Sequence, residues 1–237
     1  MTALSILLVG LLLGMKHATE ADHLAAVATL ATRQNSLTQT LWQGVAWGVG
    51  HTATLMLFAG AVLALGQVIS PGFGHALETC VGLMLIVLGA DVLRRLHRER
   101  VHFHVHSHAP QAQHVHAHSH RGEGPHSTSS HRHQHAPRHW PLRALAVGMM
   151  HGLAGSAALV VLSLQASPSV ALGLGYIALF GIGSIAGMAL LSVVIAIPLR
   201  LSAGYLGRVQ QAMTMLVGVF SCVVGIVIVW QAGLIRM

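Results

Sequence analysis

The sequence predicts an all-α integral membrane protein, six transmembrane helices arranged as two inverted three-helix repeats. Three observations carry this. Of 237 residues, 54% are hydrophobic and 8% charged, with a mean hydropathy of +0.66; a soluble domain has roughly 25% charged residues. Six apolar runs reach the length of about 20 residues that a bilayer-crossing helix needs. Three short motifs recur in the same order at nearly constant offset.

The six candidate spans are roughly 4–31, 43–66, 76–97, 143–166, 170–198 and 211–234. Gly and Pro punctuate the short gaps, as in "SPGFG" at 70–74, "SPS" at 167–169 and "SAGYLG" at 202–207. The organisation is a first three-helix membrane repeat over 1–97, a loop over 98–141, and a second repeat over 142–237. No cleavable signal peptide is evident, because no basic stretch precedes the first apolar run. The chain is therefore expected in the inner (cytoplasmic) membrane, inserted by its own helices.

Arginines set the expected orientation. Arg33 follows span 1, a cluster of Arg94, Arg95, Arg98 and Arg100 follows span 3, and Arg200 and Arg208 follow span 5. The loops after spans 2 and 4 carry no Lys or Arg. Basic loops face the cytoplasm, so both termini are expected outside and the long loop inside. The net charge of +7 is spent on this pattern and not on a nucleic-acid stripe. Cys80 and Cys222 lie in apolar runs without a CxxC partner and are expected to be buried small hydrophobes.

"GMKH" at 14–17 recurs as "GMMH" at 148–151, an offset of 134. "GVGH" at 48–51 recurs as "GIGS" at 181–184, offset 133, and "VGLMLIVLG" at 81–89 as "VGVFSCVVG" at 217–225, offset 136. A repeat unit of three spans is odd, so the second unit must enter the membrane from the opposite side. That is the inverted-repeat architecture of many secondary transporters.

Span 1 breaks the membrane rules. "GMKHATEADHL" at 14–24 places Lys16, His17, Glu20, Asp22 and His23 near its middle. A charge at the bilayer centre costs at least about 2.5–3.5 kcal/mol, so such groups face a bundle interior or a water path. At about 100° per residue, His17, Glu20 and His23 share one face, and Lys16 can pair with Glu20 at i,i+4. Asp22 points away from that face unless the helix unwinds, for which Gly14 offers one place. Imidazole with carboxylate, and no thiolate, is a ligand set for divalent Ni, Co, Cu or Zn; the alternative is a buried ion-pair network that only fixes helix packing. His51 in span 2 and His151 in span 4, the latter equivalent to His17, are expected to converge near span 1 or to be hydrogen-bonded core residues. No Asp or Glu follows Glu123, so any cation site draws its negative charge from spans 1–3. Asp91 is expected to pair with Arg94 or Arg95, and His75 with Glu78 forms either a capture site or a solvated helix end.

The loop holds thirteen histidines between His102 and His139, spaced by Pro, Ser and Gln. This composition builds no core and is expected to be disordered. His102, His104, His106, His108, His114, His116, His118 and His120 alternate with other residues, a spacing that buffers transition metals with little selectivity.

"HATEADHL" at 17–24 resembles the H-A-x-D-A-D-H signature of the nickel/cobalt transporter family, with Glu20 where Asp is usual. "GHTATL" at 50–55 resembles that family's second signature, a Gly-His followed by Ser or Thr. The six-span plan and "HGLAGSAAL" at 151–159 look like the shorter, urease-accessory branch, since the acidic motifs of the longer members are missing from the second half. The resemblance implies that His17, Asp22 and His23 are metal ligands or selectivity residues, supported by Glu20 and by His51 from the next helix.

The expected function is a permease for Ni2+, or Co2+, supplying urease or hydrogenase maturation. Efflux by the same site, or a non-transporting accessory protein that hands on metal, are the alternatives. No prosthetic group is implied; the metal is the substrate, and the partners are the bilayer and maturation proteins. The chain has no P-loop and no HExxH helix, so it reads neither as an ATPase nor as an enzyme.

Overall fold

A computed structural model describes residues 3–34, 36–65, 71–98, 103–108, 112–117, 141–153, 170–205 and 207–233. The helices are α1 (Ala3–His17), α2 (Ala21–Ala31), α3 (Leu37–Leu65), α4 (Pro71–Arg98), α5 (Leu142–Gly152), α6 (Val170–Tyr205) and α7 (Gly207–Gln231). Among the described residues, four segments are long and apolar enough to cross a membrane: Leu37–Val62, Gly72–Arg98, Ala171–Leu201 and Val209–Gln231. Leu7–His17 and Ala21–Ala31 are shorter apolar helices. The protein is a multi-pass, helical membrane protein.

Span 1 differs from the continuous helix that its hydropathy predicts. α1 stops at His17 and α2 starts at Ala21. The Thr19 hydroxyl donates to the Lys16 carbonyl at 2.6 Å, and the Thr19 and Glu20 amides reach back three residues, to Lys16 and His17. Glu20 then turns extended (φ −64°, ψ 151°), and α2 opens with the Leu24 amide on the Glu20 carbonyl. The break is at Ala18–Glu20 and not at Gly14. Gly14 is helical and lies directly under α6: a β-carbon there would overlap the Phe180 carbonyl.

Two other boundaries move. α4 begins at Pro71, inside the predicted gap, since proline is tolerated in a helix's first turn. α6 runs on through Tyr205 and holds Pro198 inside it. The predicted span 4 is described only as α5; its remainder, including Ser156 and Ala157, lies outside the described residues.

α3 packs along α6 and α5, α1 along α6, and α4 along α7, with α2 against α6 and α7. Glycines set these approaches. Gly82 and Gly225 face each other's carbonyls across α4 and α7, as do Gly89 and Gly218. Between them the Ser221 hydroxyl donates to the Leu85 carbonyl at 2.9 Å. Gly148 lies under the Trp47 carbonyl, Gly50 under that of Leu145, and Gly183 under that of Leu11. The core joins Ala18, Ala25, Ala26, Trp47, Leu85 and Met188, while Leu57, Val87 and Leu216 lie exposed, as lipid-facing residues do.

At the end of α4, Asp91 pairs with Arg95 at 3.3 Å, as expected, and also with Arg33 from the segment after α2. Cys80 is exposed and Cys222 half-buried, so neither is the fully buried residue that its apolar surroundings predict. Cys80 sits on an open helix face, while Cys222 lies at the edge of the α4–α7 contact, its thiol 3.7 Å from the Ile86 carbonyl. Within 98–141, where composition predicts disorder, Phe103–His108 (β1) and Ala112–Ala117 (β2) pair as an antiparallel hairpin. Their alternation of His with other residues matches the two-residue strand period. His104 and His106 are register partners of His116 and His114; His102, His118 and His120 lie outside the described residues.

Candidate metal centre

The helix break decides the geometry. It leaves His17 at the C-terminus of α1 and Asp22 and His23 in the first turn of α2. α3 brings His51 beside them, and the end of α5 brings His151. The ring centroids of His17 and His23 are 4.3 Å apart, those of His23 and His151 4.4 Å, and those of His23 and His51 5.2 Å. All four rings are buried, His51 completely.

Two carboxylates hold three of these rings. Asp22 accepts from His23 Nδ1 at 3.0 Å and from His151 Nε2 at 2.8 Å. Glu20 Oε1 lies 2.9 Å from His17 Nδ1. Each such bond, made by an N–H, leaves the other ring nitrogen as a lone pair. Those nitrogens (His17 Nε2, His23 Nε2 and His151 Nδ1) are buried without any hydrogen-bond partner among the described residues, and so are both nitrogens of His51. Buried polar atoms are nearly always satisfied. Carboxylate-held imidazoles with the opposite nitrogen free are the arrangement in which histidine binds metal.

Two overlapping donor groups result: His17, His23 and His51, and Asp22, His23 and His151, each with its atoms within 4.8 Å of one another. Ion–nitrogen bonds of about 2.0–2.1 Å put opposite donors about 4.2 Å apart, so small side-chain rotations close either group. The helix ends assist. The C-terminus of α1 carries partial negative charge toward a cation, and the N-terminus of α2 favours ionised Asp22.

All six residues singled out in the sequence (His17, Glu20, Asp22, His23, His51 and His151) come together. Their roles on one another differ from the helical-wheel reading. Asp22, predicted to face away, bridges two rings because the chain turns before it. Glu20 is largely exposed and reaches only His17, while Lys16 is exposed and Glu20's partner is the imidazole. His75 and Glu78 join neither donor group.

Sequence reasoning missed the walls. Trp47 lies 5.3 Å from His23 and 5.6 Å from His151, and Phe180 lies 5.4 Å from His17, between ring centroids. A signal was available: each aromatic directly precedes its "GVGH" or "GIGS" motif, 133 residues apart.

No family model matches the chain, and no solved structure matches it. Among curated proteins it is similar to the urease accessory protein UreH of Bacillus sp. (strain TB-90). The two are 34% identical over 230 residues, 97% of this chain and 92% of the relative. The likeness therefore extends over both halves of the chain.

Proposed function

The chain belongs to the family of urease accessory protein UreH, and from that premise we propose that it is a permease for Ni2+, with Co2+ the second candidate, taking the ion inward for urease or hydrogenase maturation. The observation that supports this most is the set of buried imidazole nitrogens without partners among the described residues, around the break between α1 and α2 in the first apolar run. Broken helices at the midplane are where secondary transporters bind their ions.

The chemistry follows from the residues. A hydrated divalent cation exchanges water for His23 and the rings beside it. Asp22 and Glu20 hold those rings in the metal-binding tautomer and balance the ion's charge. The membrane potential drives such an ion inward by about 4.6 kcal/mol per 100 mV, without nucleotide hydrolysis.

The proposed frame is two inverted three-helix repeats, with the termini outside and the histidine loop in the cytoplasm. Reciprocal contacts support the repeat. Gly14 meets Phe180, and its equivalent Gly148 meets Trp47, the equivalent of Phe180. Gly50 meets Leu145 and Met149, while Gly183 meets Leu11 and Met15, equivalent residues 133 or 134 apart. Gly48 meets Ile185, and Gly181 meets Thr52. Such exchange of partners is what a two-fold relation requires. In this frame the loop histidines buffer metal after it arrives.

Flux of labelled Ni2+ in energised vesicles tests the reading. Inward accumulation should survive deletion of residues 101–139 and vanish in His23→Ala. Accumulation confined to inside-out vesicles would replace uptake by efflux. Ion binding with no flux in either orientation would replace transport by metal delivery.

A further inference from the structure

A small cavity lies between α2, α3 and α6, lined by Val27, Leu30, Thr40, Gln43, Trp47 and Ser192 among others. It has room for about one water molecule. On α3, Thr40, Gln43, Trp47 and His51 follow one another along one face. Gln43 lies eight residues from His51, about 12 Å along the axis, toward the end of the helix that adjoins Arg33. Trp47 stands between the two, its ring against His23 and His151.

The cavity offers acceptors, beside Trp47, whose indole N–H is buried without a partner among the described residues. The Thr40 hydroxyl donates to the Ser36 carbonyl and the Ser192 hydroxyl to that of Met188, so both offer only lone pairs to a further partner. Gln43 Oε1 is buried with no partner among the described residues, in a side chain 6% exposed. The water shell of a cation presents protons outward and asks for such acceptors. Packing alone does not explain the stripe, because the opposite half lacks it. At the offset of 133, Gln43 and Ser192 correspond to Tyr176 and Ala59, which pack together in an apolar cluster.

We propose that this cavity is a hydration subsite for the transported divalent cation, beyond Trp47 on the Arg33 side of the histidine centre, with Gln43 receiving the ion's first water molecules as it leaves the imidazoles. The inference rests on the permease reading above. A cation stripped onto histidines cannot re-enter water across a dry stretch of Val27 and Leu30 without such a station. Trp47 keeps that water off the imidazoles until the ion moves.

The test separates binding from flux, using Ni2+ with the full chain in detergent and in proteoliposomes. Gln43→Leu should bind Ni2+ within twofold of wild type and carry it at least tenfold more slowly. Gln43→Glu, which restores an acceptor, should recover most of the flux, and the isosteric Thr40→Val should lose a smaller, severalfold part. Unchanged flux in both Gln43→Leu and Thr40→Val overturns the subsite. So does a Gln43→Leu protein whose binding falls in step with its flux, since Gln43 would then only support the histidine centre or the fold. Wild type that binds Ni2+ but carries none sinks the permease reading and the subsite together, and this is seen before any variant is compared.

Discussion

Helices α1 and α5 share the sequence "GM-H", pack through the same glycine, and carry different chemistry. Gly14 lies against the Phe180 carbonyl and Gly148 against that of Trp47, so each helix needs a residue without a side chain at this point. Beyond the histidine they part. After His17 the chain breaks and supplies Glu20, Asp22 and His23, whereas after His151 comes "GLAGSAA", with no acid and no second imidazole. The difference teaches that backbone approach constrains both halves equally, while the acids and the second imidazole come from one half alone. His151 still serves the centre, through Asp22 of the other half.

The comparison is broken most directly at His23, the residue shared by both donor groups. His23→Ala should weaken Ni2+ binding more than about 100-fold, about 2.7 kcal/mol, by calorimetric titration. Retained affinity would mean that the unequal halves do not reflect metal binding. Valine at the shared glycine comes next. Gly14→Val and Gly148→Val should each destabilise by about 1–3 kcal/mol through overpacking, seen as similar drops in thermal midpoint in detergent. A silent Gly148→Val would end the claim of equal backbone constraint.

His151→Ala sharpens the chemical side. It removes one ring and leaves Asp22 with His23 alone, so affinity should fall about tenfold, near 1.4 kcal/mol, less than for His23→Ala. An equal loss would make α5 a full partner of α2. The smallest effect is expected at the rim. Arg33→Ala removes a partly exposed partner of Asp91 and should cost about 0.2–1 kcal/mol, less at high salt. A larger cost in chemical denaturation would show that the ends of α2 and α4 are locked together more tightly than a surface pair allows.

Much of the site was legible because membrane sequences make polar residues conspicuous. Six ionisable side chains within apolar runs had few roles open to them, and all six meet. The pairing among them was not legible. A helical wheel set Glu20 beside His23 and turned Asp22 away, because it assumed an unbroken helix. Thr19, which closes the turn with its hydroxyl, carries no signal of a break by itself. Trp47 and Gln43 were hidden for the opposite reason: in a single apolar helix they read as a packing aromatic and an isolated polar residue.

Composition and spacing alone determined that this chain enters a membrane, that its halves share motifs, and which side chains are able to hold a divalent metal. Those properties are local: hydropathy, periodicity and donor type are set residue by residue. The tertiary structure alone decided that Asp22 bridges His23 and His151, that neither nitrogen of His51 has a hydrogen-bond partner among the described residues, and that Thr40, Gln43 and Ser192 meet at one cavity beside Trp47. Each of these joins residues from different helices, and the distance between helices is decided by which backbones can touch, a property of pairs of glycines and carbonyls that no single stretch of sequence contains.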